Sequence, residues 1–129
     1  MTRYVLDASA LLALLLDEVG TQKVRAVLDG ASMSAVNLAE IVSHFVKLGA
    51  ERSHIEAILE PLPLRIHPVD VELSYAAGML RAATASAGLS LGDRYCLALA
   101  KRDDATAVTA DRPWARIAEA VGISVQVIR

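Results

Sequence analysis

The stretch Arg3-Tyr4-Val5-Leu6-Asp7-Ala8-Ser9-Ala10-Leu11-Leu12-Ala13-Leu14-Leu15-Leu16 decides how the rest of the chain is read. Tyr4, Val5 and Leu6 favour extended structure, and their apolar run does not alternate with polar residues. That pattern belongs to a strand covered on both faces, as in a parallel sheet. Asp7 then stands where a helix N-cap belongs, and an apolar helix follows to about residue 16. A strand, a polar residue at its carboxyl end and a returning helix form the repeating unit of an α/β protein.

Working outward, helical spacing of Val24, Val27 and Leu28 predicts a helix over 21–28, stopped by Gly30. Residues 32–36 read as a weakly marked second strand. The stripe Leu38, Ile41, Val42, Phe45 and Val46 predicts a helix over 37–48 that ends at Gly49. Ser53 opens another helix, closed by Pro61 and Pro63, and 64–67 is a third strand. One long alanine-rich helix is expected over 69–87, ended by Gly88, and an apolar helix over 90–102. A fourth strand at 105–109, a helix at 113–121 stopped by Gly122, and a closing strand at 123–128 complete the chain. Five strands separated by helices predict a three-layer α/β/α architecture around a mostly parallel sheet. With 129 residues and no repeat, linker or low-complexity segment, one domain over 1–129 is expected.

Composition narrows the functional classes. The chain is 54% hydrophobic, which rules against disorder, and its net charge of −2 lacks the basic surface usual in nucleic-acid binders. Any attraction for nucleic acid must therefore come from a local feature such as a bound cation. The lone Cys96 can form no internal disulfide and fits no metal-binding pattern, so a buried, reduced thiol is expected. The apolar run 8–16 is too short to span a bilayer. It also fails as a signal peptide, with Asp7 before it, Asp17-Glu18 after it and no small-x-small cleavage site beyond. A cytoplasmic protein is expected.

In a parallel sheet with right-handed crossovers the carboxyl ends of all strands lie along one edge, outside which ligands bind. Four acids fall there: Asp7, Glu40, Asp93 and Asp111. Each has a structural alternative. Asp7 and Asp111 stand at N-cap positions, and Ser90 with Asp93 has the spacing of a capping box. Glu40 could face solvent or pair with His44 four residues on. Four converging carboxylates repel unless protons or a cation are taken up. An all-carboxylate set suits Mg²⁺ or Mn²⁺. Zinc is not expected, because His44, His54 and His67 lack ligand spacing and none is placed at this edge. Ser9, Thr109 and Asn37 are candidate supporting residues that orient carboxylates or water.

Together, Asp7-Ala8-Ser9 after the first strand, Asn37-Leu38-Ala39-Glu40, Leu91-Gly92-Asp93 and Thr109-Ala110-Asp111 resemble the PIN domain, and most of all the VapC-type ribonuclease toxins of toxin–antitoxin modules. The resemblance spans essentially the whole chain in the order and approximate spacing of the acids. It implies a Mg²⁺- or Mn²⁺-dependent endoribonuclease with sheet order 3-2-1-4-5. Its four acidic positions fall on Asp7, Glu40, Asp93 and Asp111, and its supporting hydroxyls on Ser9 and Thr109. It further implies a homodimer and a VapB-like antitoxin whose tail occupies the active-site groove.

No histidine, cysteine or serine–base arrangement is expected at the edge, so covalent catalysis lacks support. Asp7, Asp93 and Asp111 are expected to anchor one ion, with Glu40 positioning the attacking water or helping to hold a second ion. Arg94, Arg112 and Arg116 are candidate phosphate contacts, each with the alternative of an ordinary solvated helix residue. Two other functions stay open. An aspartyl-phosphate phosphotransferase would use Asp7 as nucleophile, although Ala8-Ser9 lacks the second acid such sites want. A non-catalytic interaction module would use the acids only as caps.

Overall fold

The computed structural model describes residues 3–129. Its five strands are β1 (Tyr4–Leu6), β2 (Ser32–Ser34), β3 (Arg65–His67), β4 (Thr106–Thr109) and β5 (Val125–Val127). They form one fully parallel sheet in the order β3-β2-β1-β4-β5. The helices are α1 (Ala8–Leu15), α2 (Thr21–Val27), α3 (Ala35–Lys47), α4 (Arg52–Leu59), α5 (Val71–Met79), α6 (Arg81–Thr84), α7 (Leu91–Arg102) and α8 (Trp114–Val121).

Alternation along the central strand sorts the core into two layers. Val5 points into a cluster with Leu73 and Ala77 of α5, Cys96 and Leu97 of α7, and Trp114 and Ile117 of α8. Leu6 points the other way, toward Leu11 of α1, Val24 of α2, Ile41 of α3 and Ile55 of α4. Both Val5 and Leu6 are buried, which is why β1 reads as an unbroken apolar run. Cys96 is a buried free thiol at the middle of this packing, against the Val5 carbonyl. No helix among the described residues is long and apolar enough to cross a membrane.

Two boundaries differ from the sequence expectation. The second strand stops at Ser34, and Val36 is already helical, because the Ser34 hydroxyl accepts a hydrogen bond from the Asn37 amide and caps α3. The long helix over 69–87 is divided. Asp70 caps the Leu73 amide, so α5 begins only at Val71. The Thr84 hydroxyl then donates to the Leu80 carbonyl at 2.8 Å, a back-bond that bends helices. The chain breaks between α5 and α6 and tightens into a 3₁₀ turn, Ala85–Ala87, before Gly88.

Candidate functional site

Three of the four acids reach the carboxyl edge through the connection that follows a strand. Asp7 ends β1 and caps α1, Glu40 lies on the helix after β2, and Asp111 follows β4. Asp93 arrives from the first turn of α7, where it completes a capping box. Its amide donates to the Ser90 hydroxyl, and its carboxylate accepts from the Ser90 amide. The four acids line one cavity of about 370 Å³ together with Ser9 and His44.

Asp7 is the most enclosed, at 2% exposure. Its Oδ1 accepts from the Ala10 amide (2.8 Å) and the Ser9 hydroxyl (2.8 Å), and its Oδ2 from the Thr109 hydroxyl (2.6 Å). Ser9 Oγ also lies 3.0 Å from Oδ2 but has only one proton to give. Three protons thus meet a carboxylate with about four acceptor sites, which leaves about one for a ligand. Burial pushes the Asp7 carboxyl up to about 7; the bonds from Thr109, Ala10 and Ser9 lower it, and the charge of Asp93 raises it further. The two hydroxyls are themselves fixed, since Ser9 Oγ accepts the Ala110 amide (2.9 Å) and Thr109 Oγ1 the Asp111 amide (3.0 Å).

Glu40 is held from one side. Buried Asn37 donates through Nδ2 to Glu40 Oε1 (2.6 Å) and to the Gly92 carbonyl (3.1 Å), while its Oδ1 accepts the Ser34 hydroxyl (2.9 Å). Gly92 has no side chain because none fits: a Cβ there would stand 2.5 Å from Glu40 Oε2. The residue as a whole is exposed, yet its carboxylate is desolvated enough against Gly92 to be raised above the ordinary glutamate value, with the Asp93 charge adding to the shift. Asp93 is raised as well, first by burial and then by Asp111. The charge of Asp93 raises both Asp7 and Glu40, and Asp93 is itself raised by Asp111, so the acids form one electrostatic group. Lowering that mutual repulsion is what a cation in the cavity would do.

The carboxylates do not close on a single point. Among the described residues no three His, Cys, Asp or Glu side chains stand together as a ready cage for one ion. The reason is visible in the bonds above: Asp7 faces its hydroxyls, Asp93 its cap and Glu40 its asparagine. The donor set itself, carboxylate and hydroxyl oxygen, is that of a hard divalent cation.

Several expectations need correction. Asp111 is no N-cap: α8 is preceded by Pro113, and no side chain caps it. Glu40 pairs with Asn37, not His44. His44 does lie at this edge, lining the cavity, where no histidine was expected. The signal was present in the spacing, since position 44 follows Glu40 by one helical turn and shares its face. Arg94 is not a solvated residue. It is 8% exposed, its Nε donating to the Ser90 carbonyl at 3.4 Å, and its charge lowers the Asp93 carboxyl. Arg112 and Arg116 are exposed on the chain segment beyond Asp111, with Arg112 Nε bonded to the Arg129 carbonyl.

Sequence comparison with curated proteins finds no significant match. Solved structures with the same fold include VapBC2 from Rickettsia felis bound to a promoter DNA fragment (18% identity, TM-score 0.72, covering 99% of this chain and 100% of that one). A toxin–antitoxin complex from Klebsiella pneumoniae is similar at 18% identity and TM-score 0.73, with 98% of each chain covered. VapC20 of Mycobacterium tuberculosis, a toxin that cleaves the sarcin–ricin loop, is similar at 17% identity and TM-score 0.63, over 81% of this chain and 86% of that one. The sequence model of the PIN domain family matches residues 4–120, from β1 through nearly all of α8, and so takes in every acid of the cavity. With the sheet order 3-2-1-4-5 and the acids at its carboxyl edge, that match settles the family: the chain belongs to the PIN domain family.

Proposed function

We propose that the protein is a Mg²⁺- or Mn²⁺-dependent endoribonuclease of the VapC type, the toxin of a toxin–antitoxin module acting in the cytoplasm as a single domain. The observation that carries this reading is the gathering of four acids from four separate chain segments into one cavity, with three of their carboxyls raised. A protein that used them only as caps would have no reason to set Glu40 and Asp111, which cap nothing, beside Asp7 and Asp93.

Asp7, Asp93 and Asp111 would hold the ion, which supplies charge neutralisation at the phosphate and a lowered pKa for water. Ser9 and Thr109 keep the Asp7 carboxylate in one orientation. Glu40, steadied by Asn37, is placed to accept a proton from the attacking water or to take part in holding a second ion. Arg112 and Arg116, exposed beyond the cavity, are the phosphate contacts of choice. Arg94 serves instead by offsetting the charge of Asp93.

The test is direct. Purified protein should cleave RNA with Mn²⁺ and be silent in EDTA. Its melting temperature should rise with Mn²⁺ by the equivalent of about 3 kcal/mol at a hundredfold excess over the dissociation constant. A stable protein indifferent to metal and inert toward RNA would refute the reading.

The partners are RNA as substrate, a VapB-like antitoxin and a second copy of the chain. Support for the antitoxin comes from an apolar groove of about 550 Å³, lined by Leu11, Leu38, Val42, Ile55, Leu59 and Ile66. The groove suits the apolar face of a partner helix. One helix, α3, lines both sites: Leu38 and Val42 face the groove, while Glu40 and His44 face the acids. A segment seated in the groove thus has a short path to the cavity.

A further inference from the structure

We propose that His44 is a further catalytic residue of the acidic cavity, donating a hydrogen bond from its ring N–H to the bridging oxygen that departs when the RNA chain is cut. This inference rests on the nuclease reading of the same cavity and deepens it.

His44 stands one helical turn beyond Glu40 on the same face of α3, and both line the cavity. Its ring is half-buried and packs edge-on against Phe45, with centroids 5.8 Å apart and planes at 82°. Phe45 belongs to the core beside Ile41, so the imidazole has a firm backing. Among the described residues no hydrogen bond or ion pair holds either ring nitrogen of His44, whereas His67 is tied to the Ser32 hydroxyl at 3.2 Å. The fold makes no use of the polar atoms of His44.

Proton supply in the cavity singles it out. Asp7, Glu40, Asp93 and Asp111, as carboxylates, only accept. The side chains of Ala8 and Leu12 are apolar, and Ser9 gives its one proton to Asp7. Arg94 is not part of the lining, its Nε being on the Ser90 carbonyl, and neither is Arg112, whose Nε is bonded to the Arg129 carbonyl. Among the described residues, His44 is therefore the one lining side chain with a proton free to donate. An imidazole carries at least one N–H whether neutral or charged, so the donor does not depend on its protonation state.

Phosphodiester hydrolysis needs such a donor at one place. As the oxygen of the attacking water bonds to phosphorus, the bond from phosphorus to the bridging oxygen breaks, and its electron pair stays on that oxygen. Negative charge thus grows in a cavity already lined by four acids, and a donor aimed there binds more strongly as the charge develops. The proton shed by the water goes to Glu40, and the departing oxygen, held by His44, gains its own from solvent. Attacking and departing oxygens lie roughly in line across the phosphorus. Residues one helical turn apart have Cβ atoms about 5–6 Å from each other. One face of α3 can therefore serve both ends of the displacement, Glu40 at the water and His44 at the departing oxygen.

Steady-state cleavage of a short oligoribonucleotide tests the proposal, its sequence taken from the cut that the wild type makes in total bacterial RNA. The oligonucleotide is made in two forms, with oxygen or with sulfur at the departing bridging position. On the oxygen form, His44→Leu should lower kcat roughly thirtyfold with KM little changed, the loss of one hydrogen bond to a charged group made in the transition state. Sulfur accepts hydrogen bonds weakly and carries a negative charge readily, so on the sulfur form the two proteins should differ by about threefold or less. His44→Asn and His44→Gln each put an N–H near the place of one ring nitrogen, and one of them should recover at least about fivefold over His44→Leu. The rise in melting temperature with Mn²⁺ should match that of the wild type in all three variants, since His44 is placed at the substrate and not at the ion. Full activity in His44→Leu, a defect that persists on the sulfur form, failure of both amide variants, or a lost Mn²⁺ response would overturn this role and leave the nuclease reading standing. A wild type that cuts no RNA would overturn both.

Discussion

Asp7→Asn is expected to stabilise the metal-free protein at pH 8 while abolishing metal-dependent RNA cleavage. The carboxyl is buried and its pKa stands at about 7 against 3.8 for an unperturbed aspartate. Between those values the folded state holds a proton that the unfolded state releases, so stability falls as pH rises from about 4 to about 7 and then levels off. The shift corresponds to about 4 kcal/mol by linkage. Asparagine removes the charge but keeps the shape. Its carbonyl oxygen can still accept the Ala10 amide, and its amide can donate to Thr109, whose hydroxyl can turn toward Ser9 at 3.3 Å. Urea unfolding in EDTA should give a variant more stable than the wild type by roughly 2–4 kcal/mol at pH 8 and little different at pH 4. Glu40 and Asp93, raised in the same direction, leave part of the slope in the variant. A destabilised variant at pH 8 would mean that Asp7 is a structural cap whose charge the fold needs. Stabilisation together with loss of cleavage and of the Mn²⁺ response would mark it as a residue kept for function at the expense of the fold.

That trade explains what could be read in the sequence and what could not. Tyr4-Val5-Leu6 followed by Asp7 was legible because a doubly buried strand and a capped helix each leave a local mark. Asp7, Glu40 and Asp111 were legible by position, since parallel topology sends every strand end to one edge, whereas Asp93 enters from the first turn of α7, which follows no strand. The second strand was faint because Ser32-Met33-Ser34 owes its place to neighbours: it pairs with both β1 and β3, and only Met33 supplies core. The late start of the helix over 69–87 and its break near Leu80 go with two side chain–backbone bonds, from Asp70 and Thr84 respectively, that residue periodicity does not register. His44 could be placed from the spacing, one helical turn after Glu40 on the same face, but the burial of Arg94 could not, because spacing along one helix tells which residues share a face without telling what that face meets.

The same crowding of carboxylates predicts the opposite result for Asn37→Asp. The substitution is nearly isosteric, yet it exchanges the Nδ2 group that serves two acceptors, Glu40 Oε1 at 2.6 Å and the Gly92 carbonyl at 3.1 Å, for an oxygen that repels both. Asn37 is fully buried, so the new carboxylate gains no water to compensate. One partner, the Ser34 hydroxyl at 2.9 Å, and the Asn37 backbone contact to Ser34 remain. An unmatched buried charge beside a second carboxylate should cost roughly 3–5 kcal/mol at pH 8, within the range for breaking a buried charged arrangement. The introduced carboxyl is favoured in its protonated form, in which it can donate to Glu40 or to Gly92. Its folded pKa is therefore raised, and the loss of stability should grow from pH 5 to pH 8 and shrink on acidification. Cleavage should fall about a hundredfold even where the variant is folded, because Glu40 loses the bond that aims it. Asn37→Ser, which keeps a small polar group without the charge, should retain far more stability at pH 8 and still lose activity. Equal stability of Asn37→Asp at pH 5 and pH 8, or full activity in either variant, would show that Asn37 neither touches Glu40 nor positions it in solution.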